Sequence, residues 1–277
     1  MELSYVFWFF LILMTLQPMI RQRAQVYLRQ KLISEIQKTN NSRVITMVHR
    51  QESMQFFGIP VMRYIDMDDS EAVIRAIHQT DKNTPIDLIL HTPGGLVLAS
   101  LQIANAIKQH KARITVYVPH MAMSGGTLIA MAADHIVMCE HSVLGPIDPQ
   151  IGKYPAASLL KVVKDKPIAE IDDDTLILAD MGAKATAQVH KACVDLLSDR
   201  MGAAEAEKLA QTMTNGQWTH DYPITATAAK HLGLRINTQM PETVLDLMAL
   251  YPQAMRNPPS VEYLPSAPAA PSKGRKS

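Results

Sequence analysis

Residues 86–139 read IDLILHTPGGLVLASLQIANAIKQHKARITVYVPHMAMSGGTLIAMAADHIVMC. Ile86–Leu90 is a near-continuous apolar run, the pattern of a strand buried on both faces. Ile114–Val118 and His135–Cys139 repeat it. Between these strands, Leu96–His110 sets Leu98, Leu101, Ala104 and Ile107 on one side of a helix, and Gly125–Ala133 forms a second, shorter one. Strand–helix–strand repeats of this length fold as parallel βαβ units with right-handed crossovers, so the chain is an α/β protein. Both junctions, His91-Thr92-Pro93-Gly94-Gly95 and Ala122-Met123-Ser124-Gly125-Gly126-Thr127, are strand-to-helix turns. Glycine removes the Cβ there and lets a substrate carbonyl approach the backbone N–H groups. One turn can supply an oxyanion donor, the other a nucleophilic serine and a second donor, which is the layout of an acyl-transfer site.

A chain of 277 residues, 47% of them apolar, buries one substantial core plus appendages. A net charge of +1 gives no global field for nucleic acid. Two cysteines, Cys139 and Cys193, make no disulfide framework and fit a reducing compartment. The run from Leu3 to Ile20 carries no charge and is just long enough to cross the hydrocarbon. Glu2 precedes it, and Arg21, Arg23, Arg29 and Lys31 follow. The basic side stays cytoplasmic, so the expectation is a single-pass anchor (1–20) in the cell membrane, N-terminus out and main domain in the cytoplasm. The alternatives are a hydrophobic helix docked on a partner and a removed signal peptide, although the latter begins with basic residues.

Further along, residues 21–42 read as a basic juxtamembrane helix with Leu28, Leu32 and Ile36 in one stripe, suited to the protein's own core or a neighbouring subunit. The globular domain spans 43–251. It opens with strands at Val44–Val48 and Val61–Ile65, then a helix Asp69–Gln79 capped by Asp69 or Ser70. After Gly145 come a loop with a short helix (148–167), a long helix over Leu176–Leu197, another over Gly202–Thr212, and a turn with a short helix in Trp218–Gly233. Residues 252–277, rich in Pro and Ser with a basic end, read as a disordered tail.

Ser124 needs a base within hydrogen-bond reach. Of the ten histidines, His91 and His120 precede the two turns, His135 and His141 flank a strand, and His190 and His231 lie on helices. None has a spacing that demands a triad. His135, Cys139 and His141 do not complete a four-ligand metal set, so neither metal nor cofactor is expected.

The pairing of a TPGG turn with an SGGT turn, followed by VLGPIDP, resembles the Clp/crotonase superfamily. Within it, the chain is similar to signal peptide peptidase A and to the membrane-anchored serine dehydrogenase proteinase family. The resemblance is carried by HTPGGLVLAS (91–100), VPHMAMSGGTLIAMAAD (118–134), VLGPIDPQIGKYPAAS (143–158) and, more loosely, NGQWTHDYPITATAAKHLGL (215–234). It implies a spiral of βαβ units, Ser124 as nucleophile, and Gly94 (in the Gly94-Gly95 turn) with Gly125 as backbone oxyanion donors. It also implies a homo-oligomer that cleaves polypeptides or membrane proteins. Clp proteases place a histidine about two dozen residues after the serine; this chain has Pro146-Ile147-Asp148-Pro149 there, and no histidine between His141 and His190. Signal peptide peptidases use a Ser–Lys dyad, and Lys184 matches that lysine, with Lys153, Lys161, Lys164 and Lys166 as competitors. A lysine serves as base only when burial keeps it neutral. Asp148 reads as a structural turn residue, or as one that holds the loop or orients a donor, and Trp218 and Tyr222 as packing in the core or a subunit contact, or lining an apolar groove. The alternatives are a crotonase-like enzyme acting on an acyl-CoA thioester and an inactive membrane scaffold.

Overall fold

Five parallel strands in sequential order form the central sheet: β1 (Arg43–Val48), β2 (Ile86–His91), β3 (Ile114–Val118), β4 (His135–Met138) and β5 (Ile236–Asn237). In this computed structural model the described residues are 2–49, 55–56, 59–60 and 63–251. Register is fixed by pairs such as Ile45 with Leu88, Leu88 with Val116, and Val116 with Ile136. Every residue of β2 is buried, as its apolar run requires.

When consecutive strands stand side by side, the right-handed rule places every crossover helix on the same face. The crossover helices α2 (Met67–His78), α3 (Val97–Gln109) and α4 (Gly125–Met131) all pack there, joined by α6 (Asp173–Met201) and α7 (Ala203–Thr214). That core includes Leu88, Leu90, Val116, Ile103, Leu128, Val189 and Leu209. Ile89, between Leu88 and Leu90, faces the opposite core with Tyr117 and Val137, as the two-residue period of a strand dictates. This second face is covered by α1 (Glu2–Asn40) and the helix Glu242–Ala249.

Three boundaries differ from the sequence reading. The segments expected as an anchor (1–20) and a juxtamembrane helix (21–42) lie largely in one continuous helix, α1 (Glu2–Asn40). Its last turns dock through Ile36, with Leu32 and Ile33, onto Val244, Leu247 and Met248, and the Arg29 guanidinium lies 4.8 Å over the Tyr251 ring. Asn40 and Ser42 donate to the buried Asp87 carboxylate at 2.7 and 2.6 Å, clamping the helix end to the sheet. Second, α2 starts earlier than expected, because Asp66 and Asp69 cap each other's backbone N–H reciprocally. Third, α6 begins at Asp173, capped by Asp172, ahead of the expected Leu176, and runs on to Met201.

Among the described residues no helix is long and apolar enough to cross a membrane, and most side chains of the 3–20 run, on which the anchor expectation falls, lie outside them. Residues 61–62 of the expected second strand and the 252–277 tail also lie outside the described residues, while Ile65 forms a parallel bridge to Gly95.

Candidate active site

Three loops distant in sequence are tied together by a small sheet beside the main one. Met121–Ala122, just before Ser124, pairs in parallel with Val143–Leu144, just before Gly145-Pro146-Ile147-Asp148. Val143–Leu144 in turn pairs antiparallel with Ile224–Thr225, just after the loop that carries His220. Thr127 adds a second tie: its hydroxyl accepts from the Gly145 N–H (2.9 Å) and donates to the Ala122 carbonyl (2.7 Å).

The two glycine bends touch. Thr92 bridges to Ala122 in parallel, through Thr92 N–H to Met121 O (3.1 Å) and Met123 N–H to Thr92 O (3.0 Å). A Cβ on Gly94 would come within 2.8 Å of Ser124 Cβ and 2.9 Å of Met123 O. One on Gly125 would come within 2.2 Å of Ser100 Oγ, so helix α3 packs directly against the second bend. Ser124 adopts φ 49° and ψ −116°, a conformation sparsely populated by residues with a side chain. It stands at the N-cap of α4, yet its hydroxyl makes no capping hydrogen bond. An N-cap serine earns its place by that bond. A strained serine on a strand-to-helix bend without it fits instead a hydroxyl held out for chemistry, as in nucleophile elbows.

The Gly94 N–H is occupied: it donates to Thr92 Oγ1 at 3.1 Å. The Gly95 and Gly125 N–H groups have no acceptor among the described residues. Both glycines line a cavity of about 360 Å³ together with Ser124, Asp148, Gln150 and His220. Tyr64, Leu96, Val97, Leu128, Ile147 and Val189 supply its apolar wall.

At this cavity the His220 Nδ1–H donates to Asp148 Oδ1 at 2.8 Å. Asp148, 2% exposed at its side chain, accepts on its other oxygen from Gln150 Nε2 at 2.6 Å. The hydrogen bond to Asp148 raises the His220 imidazole above its ordinary range, with burial working against it and the Asp148 charge reinforcing it. With Nδ1 committed, Nε2 is the atom left to take a proton. Ser124 and His220 share the cavity without a hydrogen bond between them, as is common before substrate closes a site.

The structure does not bring Lys184 to this cavity. Its side chain is 68% exposed and its ammonium donates to Asp180 at 2.5 Å, so the burial a general-base lysine needs is missing. Lys153 lies over the Tyr154 ring, and Lys161 pairs with Asp165; neither lines the cavity, nor do Lys164 and Lys166. His91 and His120 stack on each other, and His190 faces Glu207. Trp218 and Tyr222 also stack on each other, with Trp218 against the core. Of the polar residues that line the cavity, His220 is not named in the sequence reading, and Asp148 is read there chiefly as a turn residue. The only sequence signal was the position of each beside a strand-forming pair, Val143-Leu144 and Ile224-Thr225.

A family model described as the ClpP-like SDH-type serine proteinase matches residues 1–277. The uncharacterized protein MJ0137 of Methanocaldococcus jannaschii is 50% identical over 95% of this chain and 92% of its own length. MJ1495 of the same organism is 48% identical over 95% and 90%. The membrane protein NfeD1b of Bacillus subtilis is 31% identical over 35% of this chain and 22% of its own length. A mutant of the 1510-N membrane-bound stomatin-specific protease aligns in three dimensions with TM-score 0.45 and 21% identity, over 66% of this chain and 79% of that one. The chain thus belongs to the ClpP-like, SDH-type serine proteinase family, and its enzyme class is that of a serine protease.

Proposed function

We propose that the protein is an endopeptidase working through Ser124, His220 and Asp148. The observation that carries this reading is the Asp148–His220 hydrogen bond in the wall of the cavity that Ser124 lines. His220 Nε2 takes the Ser124 proton as Oγ attacks the peptide carbonyl, Asp148 stabilises the resulting imidazolium, and His220 returns the proton to the leaving amine. The free Gly95 and Gly125 N–H groups receive the oxyanion. Lys184 has no part in this scheme. The order Ser–Asp–His along the chain is one of several in which this trio occurs on unrelated folds. No cofactor is required for any of these steps.

The same reading places the protease domain at the inner face of a membrane, held by the uncharged 3–20 run with its following basic residues. The partial match to a membrane protein supports it. Substrates are then polypeptides or membrane-protein segments. The exposed apolar side chains Val162 on α5 (Ala156–Asp165), Ile168 in the single turn Ile168–Glu170, and Ile177 and Met181 near the start of α6 support assembly into a homo-oligomer.

The test is labelling of the full-length chain, in detergent, with a fluorophosphonate probe, alongside casein hydrolysis. Both are expected in the native protein and lost in Ser124→Ala. His220→Ala is expected to lower hydrolysis by about 10⁴-fold or more. Undiminished hydrolysis by Ser124→Ala would falsify the assignment, and labelling without any peptide hydrolysis would favour an acyl-transfer role other than proteolysis.

A further inference from the structure

Behind the first glycine bend lies a buried polar chain that the scheme above does not use. His49, at the end of β1 and 3% exposed, has both ring nitrogens engaged. Its Nε2 faces Asp69 Oδ2 at 3.1 Å and its Nδ1 faces Thr92 Oγ1 at 2.9 Å. Thr92, fully buried, accepts the Gly94 N–H at 3.1 Å. For a neutral imidazole one tautomer satisfies every atom: Nε2–H donates to Asp69, the Thr92 hydroxyl donates to Nδ1, and the Gly94 N–H donates to the threonine oxygen; with both ring nitrogens protonated the hydroxyl would turn instead to the Gly94 carbonyl, 3.4 Å away. The reverse tautomer would set an unprotonated Nε2 against a carboxylate oxygen, two acceptors facing each other without a proton.

We propose that His49 and Thr92, oriented by Asp69, are positioning residues of the oxyanion hole; this rests on the protease reading given above. With the Gly94 N–H drawn inward to Thr92, the next amide, Gly95 N–H, is the one left unpaired at the cavity. The Gly94 carbonyl, in the same peptide unit as the Gly95 N–H, accepts from Ile65 N–H, and the Ile65 carbonyl accepts from Leu96 N–H in the next unit, both at 2.8 Å. The bend is therefore held from two directions, and the His49 chain is the one that selects which glycine N–H points at substrate. Asp69 is itself locked in the α2 capping box, so the chain ends on a rigid element.

The discriminating substitutions are at Thr92, whose γ-methyl fills the space beside Gly126. Thr92→Val keeps that methyl and removes the hydroxyl; Thr92→Ser does the opposite. If the hydroxyl positions the donor, Thr92→Val lowers kcat for casein hydrolysis by ~10–100-fold at unchanged KM, below the 10²–10³ of outright donor loss. Thr92→Ser then stays within about threefold of the native enzyme, and His49→Gln follows Thr92→Val. Fluorophosphonate labelling of Ser124 should slow in parallel with kcat, a readout that thermal stability alone does not move. Native kcat in Thr92→Val with a loss in Thr92→Ser assigns the site to packing and overturns the proposal. Should Thr92→Val fail to fold, His49→Gln decides, native kcat again overturning it. A Ser124→Ala control separates the levels: if that variant still hydrolyses casein, the serine assignment falls and this proposal with it. If it is inactive while Thr92→Val is not, only the positioning role falls.

Discussion

Replacing Asp148 by asparagine isolates the charge of the proposed trio from its shape. The native carboxylate sits 2.8 Å from His220 Nδ1 and 2.6 Å from Gln150 Nε2. Asparagine keeps the volume and can still accept from His220, with the Gln150 amide rotated to meet the new NH₂. What it cannot do is stabilise the imidazolium that forms when Ser124 gives up its proton. At an effective dielectric of 20, a unit pair at that separation is worth about 6 kcal/mol. His220 is 36% exposed, so water screens part of this, leaving about 4–5 kcal/mol. At 1.36 kcal/mol per decade the expected fall in kcat/KM is about 10³-fold, close to the ~10⁴ that the equivalent change costs in well-known triads. The measurement is casein hydrolysis by the folded variant, with fluorophosphonate labelling as a second readout. A variant that keeps its native melting temperature and stays within about fivefold of native activity would refute the reasoning, because the remaining carboxylate that acts on His220, Asp221, does so more weakly than Asp148 and, among the described residues, does not line the cavity.

Because Asp148 holds the His220 imidazole above its ordinary value of 6.5, the acid limb of kcat/KM against pH should inflect above that value and move down in Asp148→Asn. By linkage, the pair's contribution to stability is full below the unfolded-state value of His220 and fades as pH rises through the folded one, which pH-dependent denaturation will read. Lys184→Met should leave hydrolysis within about twofold, since that side chain is exposed and paired with Asp180; a loss of 10²-fold or more would restore the lysine as base. Gly94→Ala, at φ 105°, would force a Cβ onto Ser124 Cβ, and we expect at least a ~10²-fold loss of activity from the parted bends. Asp87→Ala strands the donors of Asn40 and Ser42 and should lower unfolding free energy by about 2–4 kcal/mol, seen as a lower urea midpoint.

Much of the fold was legible because its determinants are local. The apolar runs Ile86–Leu90 and Ile114–Val118, the helical stripe of Leu101, Ala104 and Ile107, and the glycines after each strand are short-range patterns, and they became β2, β3, α3 and the two bends, although Leu98, read on the same stripe, is exposed. Helix starts were less legible: Asp66 lies before the periodic residues, so its reciprocal cap with Asp69 was read three residues late. The proposed base, His220, was not legible at all. Lys184 has the right sequence neighbourhood, but helix phase sets it towards solvent beside Asp180. His220 has no local motif; its place depends on a two-residue strand pairing with another that pairs in turn beside Ser124.

By itself the amino-acid sequence determined a parallel α/β sheet, two glycine bends and a serine on the second, since each follows from side-chain periodicity and from glycine's missing Cβ within a few residues. Only the tertiary structure decided which glycine amide stays free and which titratable side chain meets the serine's cavity. Those outcomes depend on hydrogen bonds between segments far apart in the chain, Thr92 to His49 and Asp148 to His220, whose formation no local pattern encodes.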